Sequence, residues 1–231
     1  MCRQVQPDVV GLCETFLTRQ NDSLLDIPGY TSNFIHRKDT RRGGLATYTK
    51  SEYPVYINNQ LTQNVEGVFE SIFLETSLPS RRKAIIGEIY RSPSGSVSSF
   101  MDILSETLQL LEKQNHDVAF MGDFNINLAH PLTSNAKDVL TLTSGSTLYS
   151  SITIPTRVKE NTHSLIDNIF STLSPLSASV IVSDMSDHFP LFTVFETSKV
   201  ARSFSKIRED VPIIDLREEN LRSLNEENYI K

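Results

Sequence analysis

The stretch Asp117-Val118-Ala119-Phe120-Met121-Gly122-Asp123-Phe124-Asn125 reads as an apolar strand that ends abruptly in a glycine, a carboxylate and a carboxamide. Side chains alternate across a strand, so Asp123 and Asn125, two positions apart, project to the same side. One such group can orient a water and the other can bind a phosphate oxygen. Alone, the pattern fits a strand end with an Asx turn equally well. Its meaning depends on its neighbours.

Immediately upstream, Val97, Phe100, Met101, Leu104, Leu108 and Leu111 recur at three- and four-residue steps, which predicts a helix with Ser96 or Ser98 as N-cap. Before it, residues 83–90 form an apolar, β-branched run, so the chain from Lys83 to Met121 reads strand, helix, strand. Further strands are predicted over 9–13, 44–49, 67–74, 164–170, 179–182 and 190–195, with a turn near Pro79-Ser80 and a second helix over 134–142. Mixed sheets covered by helices follow, an α/β (α+β layered) class. A domain over 1–197 and a charged linker or partly helical tail over 198–231 are expected. Residues 5–7 read as the end of a helix, so the chain is expected to start inside a domain.

A chain of 231 residues without repeats suits one domain of this kind, and its hydrophobic content of 39% supports a core. Such a domain buries roughly 70 to 75% of its unfolded surface, enough to build a deep cleft. No stretch approaches the ~20 apolar residues that span a bilayer, and the start lacks a signal-peptide core. An intracellular location without a membrane is therefore expected. Cys2 and Cys13 read as free thiols, Cys13 buried in an apolar run. The net charge of -6 argues against nucleic-acid binding by a large basic surface, though a cation held by clustered carboxylates would reverse the local sign. The basic pairs around Arg37, Arg41, Arg81 and Arg157 read individually as solvated loops.

Several other residues stand out. Glu14 closes an apolar strand with a carboxylate of the type a hard divalent cation requires. Asp167 lies inside the apolar run Leu165-Ile166-Asp167-Asn168-Ile169-Phe170, where a charge needs a partner, and a histidine suits it. Ser186-Asp187-His188 places an imidazole beside a carboxylate at a strand entry. Tyr90 and Arg91 end a strand before the turn Ser92-Pro93-Ser94-Gly95, which puts the phenol at a core or at a cleft rim. His36, His116, His130 and His163 show no metal-site spacing.

Taken in order, Pro7-Asp8-Val9-Val10-Gly11-Leu12-Cys13-Glu14, Arg42-Gly43-Gly44-Leu45-Ala46, Ile89-Tyr90-Arg91, Gly122-Asp123-Phe124-Asn125, Ser164-Leu165-Ile166-Asp167 and Ser186-Asp187-His188 resemble the endonuclease/exonuclease/phosphatase superfamily. Gly43-Gly44-Leu45-Ala46-Thr47-Tyr48, Tyr90-Arg91-Ser92-Pro93 and Pro155-Thr156-Arg157 are most similar to the apurinic-endonuclease-like domains of non-LTR retrotransposons. The resemblance implies a DNase I-like four-layer sandwich, two packed mixed sheets flanked by helices. It also implies Mg²⁺-dependent hydrolysis of a DNA phosphodiester, with Mn²⁺ as an alternative ion.

By the same resemblance, Glu14 and Asp187 serve the metal, Asp123 orients or deprotonates the attacking water, and His188 acts beside Asp167. Asn125, Tyr90, Arg91, Thr156 and Ser164 would contact the substrate. Cleavage would leave a 3′-hydroxyl that primes a reverse transcriptase farther along the parent polypeptide, with action on genomic DNA in the nucleus. The first strand of the family pattern has no counterpart here, so weak or no activity is expected of the chain as written. A phosphatase or lipid phosphodiesterase of the superfamily is the second enzymatic reading, and a catalytically silent binding remnant is the reading of another class. Target choice would rest on loops 37–42 and 128–135.

Overall fold

The computed structural model describes residues 6–37, 43–159 and 162–197, with the backbone alone for Ser23 and 213–215. In chain order the strands are β1 (Val9–Cys13), β2 (Tyr30–Ile35), β3 (Leu45–Lys50), β4 (Tyr56–Ile57), β5 (Gln63–Val65), β6 (Phe69–Ser77) and β7 (Lys83–Arg91). Helix α1 (Val97–Gln114), strand β8 (Asp117–Asp123) and helix α2 (Ser134–Gly145) follow. The remainder is β9 (Tyr149–Ser150), β10 (Arg157–Lys159), β11 (Thr162–Ser164), β12 (Asp167–Ser171), β13 (Pro175–Val182), β14 (Leu191–Phe195) and β15 (Ile213–Asp215). The expected tail over 198–231 otherwise lies outside the described residues, as do the helix end before Gln6 and most of loop 37–42.

A central sheet runs β4-β6-β7-β8-β12-β9, with β5 also paired to β6. β7 and β8 are parallel, as the α1 crossover requires, whereas β6–β7 and β8–β12 are antiparallel. The sheet β1-β3-β2 is antiparallel throughout and packs on one face of the central sheet. Strand β13 lies between β14 and β15 in a further small sheet. The architecture is thus the expected layered arrangement of mixed sheets and helices.

Period-two alternation divides the central sheet into two unlike faces. Phe69, Phe73, Ile85, Val118, Phe120 and Phe170 form one apolar cluster with Phe100, Leu104 and Leu108 of α1 and Val139 of α2. Helix α1 forms because its apolar residues fall on one stripe and the Ser96 hydroxyl accepts the Ser99 N–H at 3.2 Å. It ends at Asn115, which takes the left-handed conformation suited to asparagine (φ 51°). The opposite face carries Glu70, Ile72, Leu74, Glu88 and Tyr90 towards β1 and β3.

Two expectations are corrected. The predicted strand over 164–170 is two strands, because the Leu165 and Ile166 carbonyls accept the Leu128 and Phe124 N–H groups (both 2.8 Å) instead of extending a ladder. Strand β2 was not expected because Thr31, Ser32 and Asn33 dilute its apolar pattern. It exists because β3 supplies a continuous pairing partner from Tyr30↔Lys50 to Ile35↔Leu45.

Candidate active site

Strand register assembles the site. Glu70 pairs with Tyr90, Tyr90 with Asp123, and Asp123 with Asp167, so four residues from β6, β7, β8 and β12 form one row across the sheet. Cross-strand neighbours at one level share a face, and this row points away from the phenylalanine cluster. The close approach of β7 and β8 depends on Gly122, where a Cβ would collide with the Ile89 carbonyl.

Beside Glu70 at one end of the row, the buried Tyr90 donates its hydroxyl hydrogen to Glu14 Oε1 at 2.5 Å. Burial and the Glu14 carboxylate both raise the phenol's pKa, so it remains protonated and a donor. Glu14 itself is exposed.

At the other end, His188 Nδ1 lies 3.1 Å from both oxygens of Asp167, the partner that a carboxylate in an apolar strand requires. This contact, above all, raises the His188 pKa above its ordinary value. Thr156 Oγ1 donates to Asp167 Oδ2 at 2.7 Å and accepts the Asp167 N–H at 3.1 Å, fixing the carboxylate.

Asp123 stands between these ends and is 6% exposed. Burial raises its pKa, and the neighbouring Asp167 charge raises it further. Its Oδ1 accepts the Asn125 N–H at 2.8 Å and its Oδ2 the Asn125 side-chain amide at 3.0 Å. Asn125 adopts a left-handed conformation (φ 46°), which asparagine tolerates.

Asp123, Asp167 and His188 present ligand atoms that all lie within 4.8 Å of one another, and they could hold a metal ion. The donor set fits a divalent cation, whose charge would relieve the repulsion between the two carboxylates. The charge of Glu14 also reaches Asp123, so a third carboxylate adds to the demand for a cation. No other histidine joins this cluster among the described residues. His36 instead faces Asp22 at 3.3 Å.

Several expected substrate contacts have other partners. Arg91 is 4% exposed, and its guanidinium donates to the carbonyls of Asn125 (3.2 Å) and Gly95 (2.9 Å). It therefore supports the Asn125 turn from beneath. Both amide hydrogens of Asn125 are directed, one to Asp123 and one to the Arg91 carbonyl at 2.8 Å, so in this arrangement Asn125 orients Asp123. Thr156 is completely buried against Asp167, and Ser164 is partly buried, its carbonyl accepting the Thr156 N–H at 2.9 Å. Asp187 is exposed and accepts from Arg157 Nε at 2.8 Å, which lowers its pKa and ties the β10–β11 hairpin to the His188 loop.

Sequence reading missed Glu70, Glu88 and Arg37. Glu70 and Glu88 are both completely buried, and Arg37, read as a solvated loop residue, is paired with Glu70. The signal that singled out Asp167, a charge inside an apolar strand, was present for both glutamates.

No curated protein matches this chain significantly. Its fold is similar to the endonuclease domain of TRAS1, a telomere-specific non-LTR retrotransposon, with 14% identity, TM-score 0.65 and coverage of 86% of this chain and 90% of that one. It is also similar to the Xenopus laevis APE2 catalytic domain, with 15% identity, TM-score 0.64 and 84% of each chain covered. A third likeness is to the Neisseria 3′ phosphatase NExo bound to a product DNA hairpin, with 15% identity, TM-score 0.62 and coverage of 84% of this chain and 91% of that one. The model of the endonuclease/exonuclease/phosphatase family matches residues 1–188. The chain therefore belongs to that family of hydrolytic nucleases and phosphatases.

Proposed function

We propose that this chain is the DNA-nicking endonuclease domain of a non-LTR retroelement, acting with Mg²⁺ and, in its place, Mn²⁺. The observation that carries the reading is the row Tyr90, Asp123 and Asp167, closed at its two ends by Glu14 and His188. The similarity in fold to a retrotransposon endonuclease domain supports the choice within the family.

Glu14 and Asp187 are the proposed metal ligands, with the Asp123–Asp167 pair supplying further negative charge. When bound, a divalent cation supplies Lewis-acid stabilisation of charge on the phosphate and the leaving oxygen. Asp123, held in place by Asn125, receives a proton from the attacking water. His188 directs Nδ1 to Asp167, which leaves Nε2 for the substrate and lets the protonated ring stabilise developing negative charge. Tyr90 positions Glu14 and contacts the phosphate beside it.

A supercoiled-plasmid nicking assay with Mg²⁺ tests the reading. The wild-type chain is expected to produce open circles only weakly, and the Asp123→Ala and His188→Ala variants are expected to lose that nicking by roughly 10² to 10⁴-fold. Equal nicking by all three proteins would refute the mechanism. Absence of nicking by the wild type, with DNA still bound, would favour the silent remnant. The similarity in fold to the Neisseria 3′ phosphatase favours one second reading, removal of a terminal phosphate from DNA. A hairpin ending in a 3′-phosphate, offered in the same buffer, separates the two activities. The retroelement reading also places the chain's work in the nucleus, on genomic DNA, ahead of a reverse transcriptase in the parent polypeptide.

A further inference from the structure

Glu70 occupies the end of the catalytic row next to Tyr90, and it is completely buried. Its Oε2 accepts the Gly44 N–H at 2.8 Å, and its Oε1 accepts from Arg37 Nε. Two separate routes run from this carboxylate to Glu14.

The first route is through side chains. The guanidinium of Arg37 lies over the Tyr90 ring, 5.7 Å from its centroid, and Tyr90 donates to Glu14 at 2.5 Å. The second route is through backbone. The Gly44 and Gly43 carbonyls accept the Thr15 N–H at 3.2 Å and the Phe16 N–H at 3.0 Å. Gly43 and Gly44 both have φ of +88°, and a Cβ on Gly43 would collide with the Arg37 side chain, so the Arg37–Glu70 pair and the double glycine fit only together.

The clamped segment is strained. Glu14 and Phe16 both adopt left-handed backbone conformations (φ 54° and 55°), which non-glycine residues rarely take. Such conformations persist only where the surroundings over-determine them. Burying a charged pair is a poor way to gain stability, since apolar groups of the same volume often do as well or better. A role in positioning accounts for a charged pair at this place.

We propose that the buried Glu70–Arg37 pair is a positioning device for Glu14, holding its carboxylate in the conformation that receives the divalent cation. The inference rests on Glu14 as a metal ligand under the proposed function. Partners that orient metal ligands typically set affinity by 10 to 100-fold.

Two variants test it. Glu70→Gln retains an acceptor for Gly44 while removing the charge, and the double variant Glu70→Leu with Arg37→Met replaces the pair by apolar volume so that the fold is retained. Two measurements are made on each: amide hydrogen exchange in metal-free protein, and Mn²⁺ affinity by titration of water-proton relaxation. Exchange at Thr15 and Phe16 is expected to accelerate at least about tenfold while Phe120, in β8, keeps its protection. Mn²⁺ binding is expected to weaken by roughly 10 to 100-fold. Unchanged exchange at Thr15 and Phe16, or unchanged Mn²⁺ affinity, in a variant with Phe120 still protected would overturn the proposal. A wild-type protein that takes up no Mn²⁺ would refute the metal reading of the site itself, and the exchange rates would then decide the positioning role alone.

Discussion

The two faces of the central sheet are built by the same strands and do opposite work. On the helix-covered face, Phe120, Phe124 and Phe170 contact one another with ring centroids 5.3 to 6.4 Å apart, and Phe124 meets Phe100 of α1 at 6.4 Å. On the other face the same stretches of chain carry Asp123 and Asp167, where burial and then the like charge of Asp167 raise the Asp123 pKa. Adjacent residues thus fall on opposite sides of the comparison: Asp123 in a strained electrostatic row, Phe124 in a relaxed apolar cluster. Close apolar packing lies on one face and the charges of the candidate site on the other, as expected where active sites hold groups that packing alone would not select.

The sharpest way to break this division is to change one residue from each face. Asp123→Asn removes a charge from the crowded row while leaving its shape intact. Nicking is expected to fall by roughly 10² to 10⁴-fold, while the midpoint of thermal unfolding, measured in the absence of divalent metal at pH 8, stays constant or rises. A lower midpoint would show that the carboxylate row also stabilises the fold. Its neighbour provides the converse case. Phe124→Ala leaves a cavity in the aromatic cluster and is expected to cost about 3 to 5 kcal/mol in urea unfolding. A loss below about 1 kcal/mol would mean that the cluster is looser than its ring contacts indicate.

A third contrast concerns Glu88, which shares the polar face but stands one level away from the row. It is fully buried, accepts Thr47 Oγ1 at 2.6 Å, and lies 3.6 Å from Cys13 Sγ. Burial raises its pKa to about 8. Because the folded value exceeds the unfolded one, the two states bind protons equally below pH about 4.5 and unequally between there and about 8. In that window the unfolded chain releases a proton that the folded protein retains, so stability falls as pH rises and then levels. Glu88→Gln, a neutral near-isostere, should flatten this slope in a series of melts from pH 5 to pH 9. Parallel slopes for wild type and variant would show that Glu88 ionises normally in the fold.

Much of the fold was legible because it rests on local periodicity. The three- and four-residue steps of 97–111 gave α1, and apolar runs gave β1, β3, β6, β7 and β8. The short or polar strands β2, β10 and β11 were not legible, since Thr31, Ser32 and Asn33, or Arg157 and Lys159, carry no apolar pattern and pair only because a partner strand is present. For the site, the sequence singled out Glu14, Tyr90, Asp123, Asn125, Asp167 and His188 as residue types suited to phosphoester chemistry. Apart from the pairing of Asp167 with His188, it did not reveal which faced a substrate and which faced one another. Arg91 and Thr156 looked like contacts from their motifs, yet one lies beneath Asn125 and the other beneath Asp167.

By itself, then, the sequence determined the elements and the chemistry available, because side-chain period and residue type are local properties of the chain. Tertiary structure decided the row of the candidate site, through the register that sets Glu70, Tyr90, Asp123 and Asp167 side by side across four strands. Register depends on pairing between residues 20, 33 and 44 positions apart, and a shift of one residue would turn every one of these side chains to the other face.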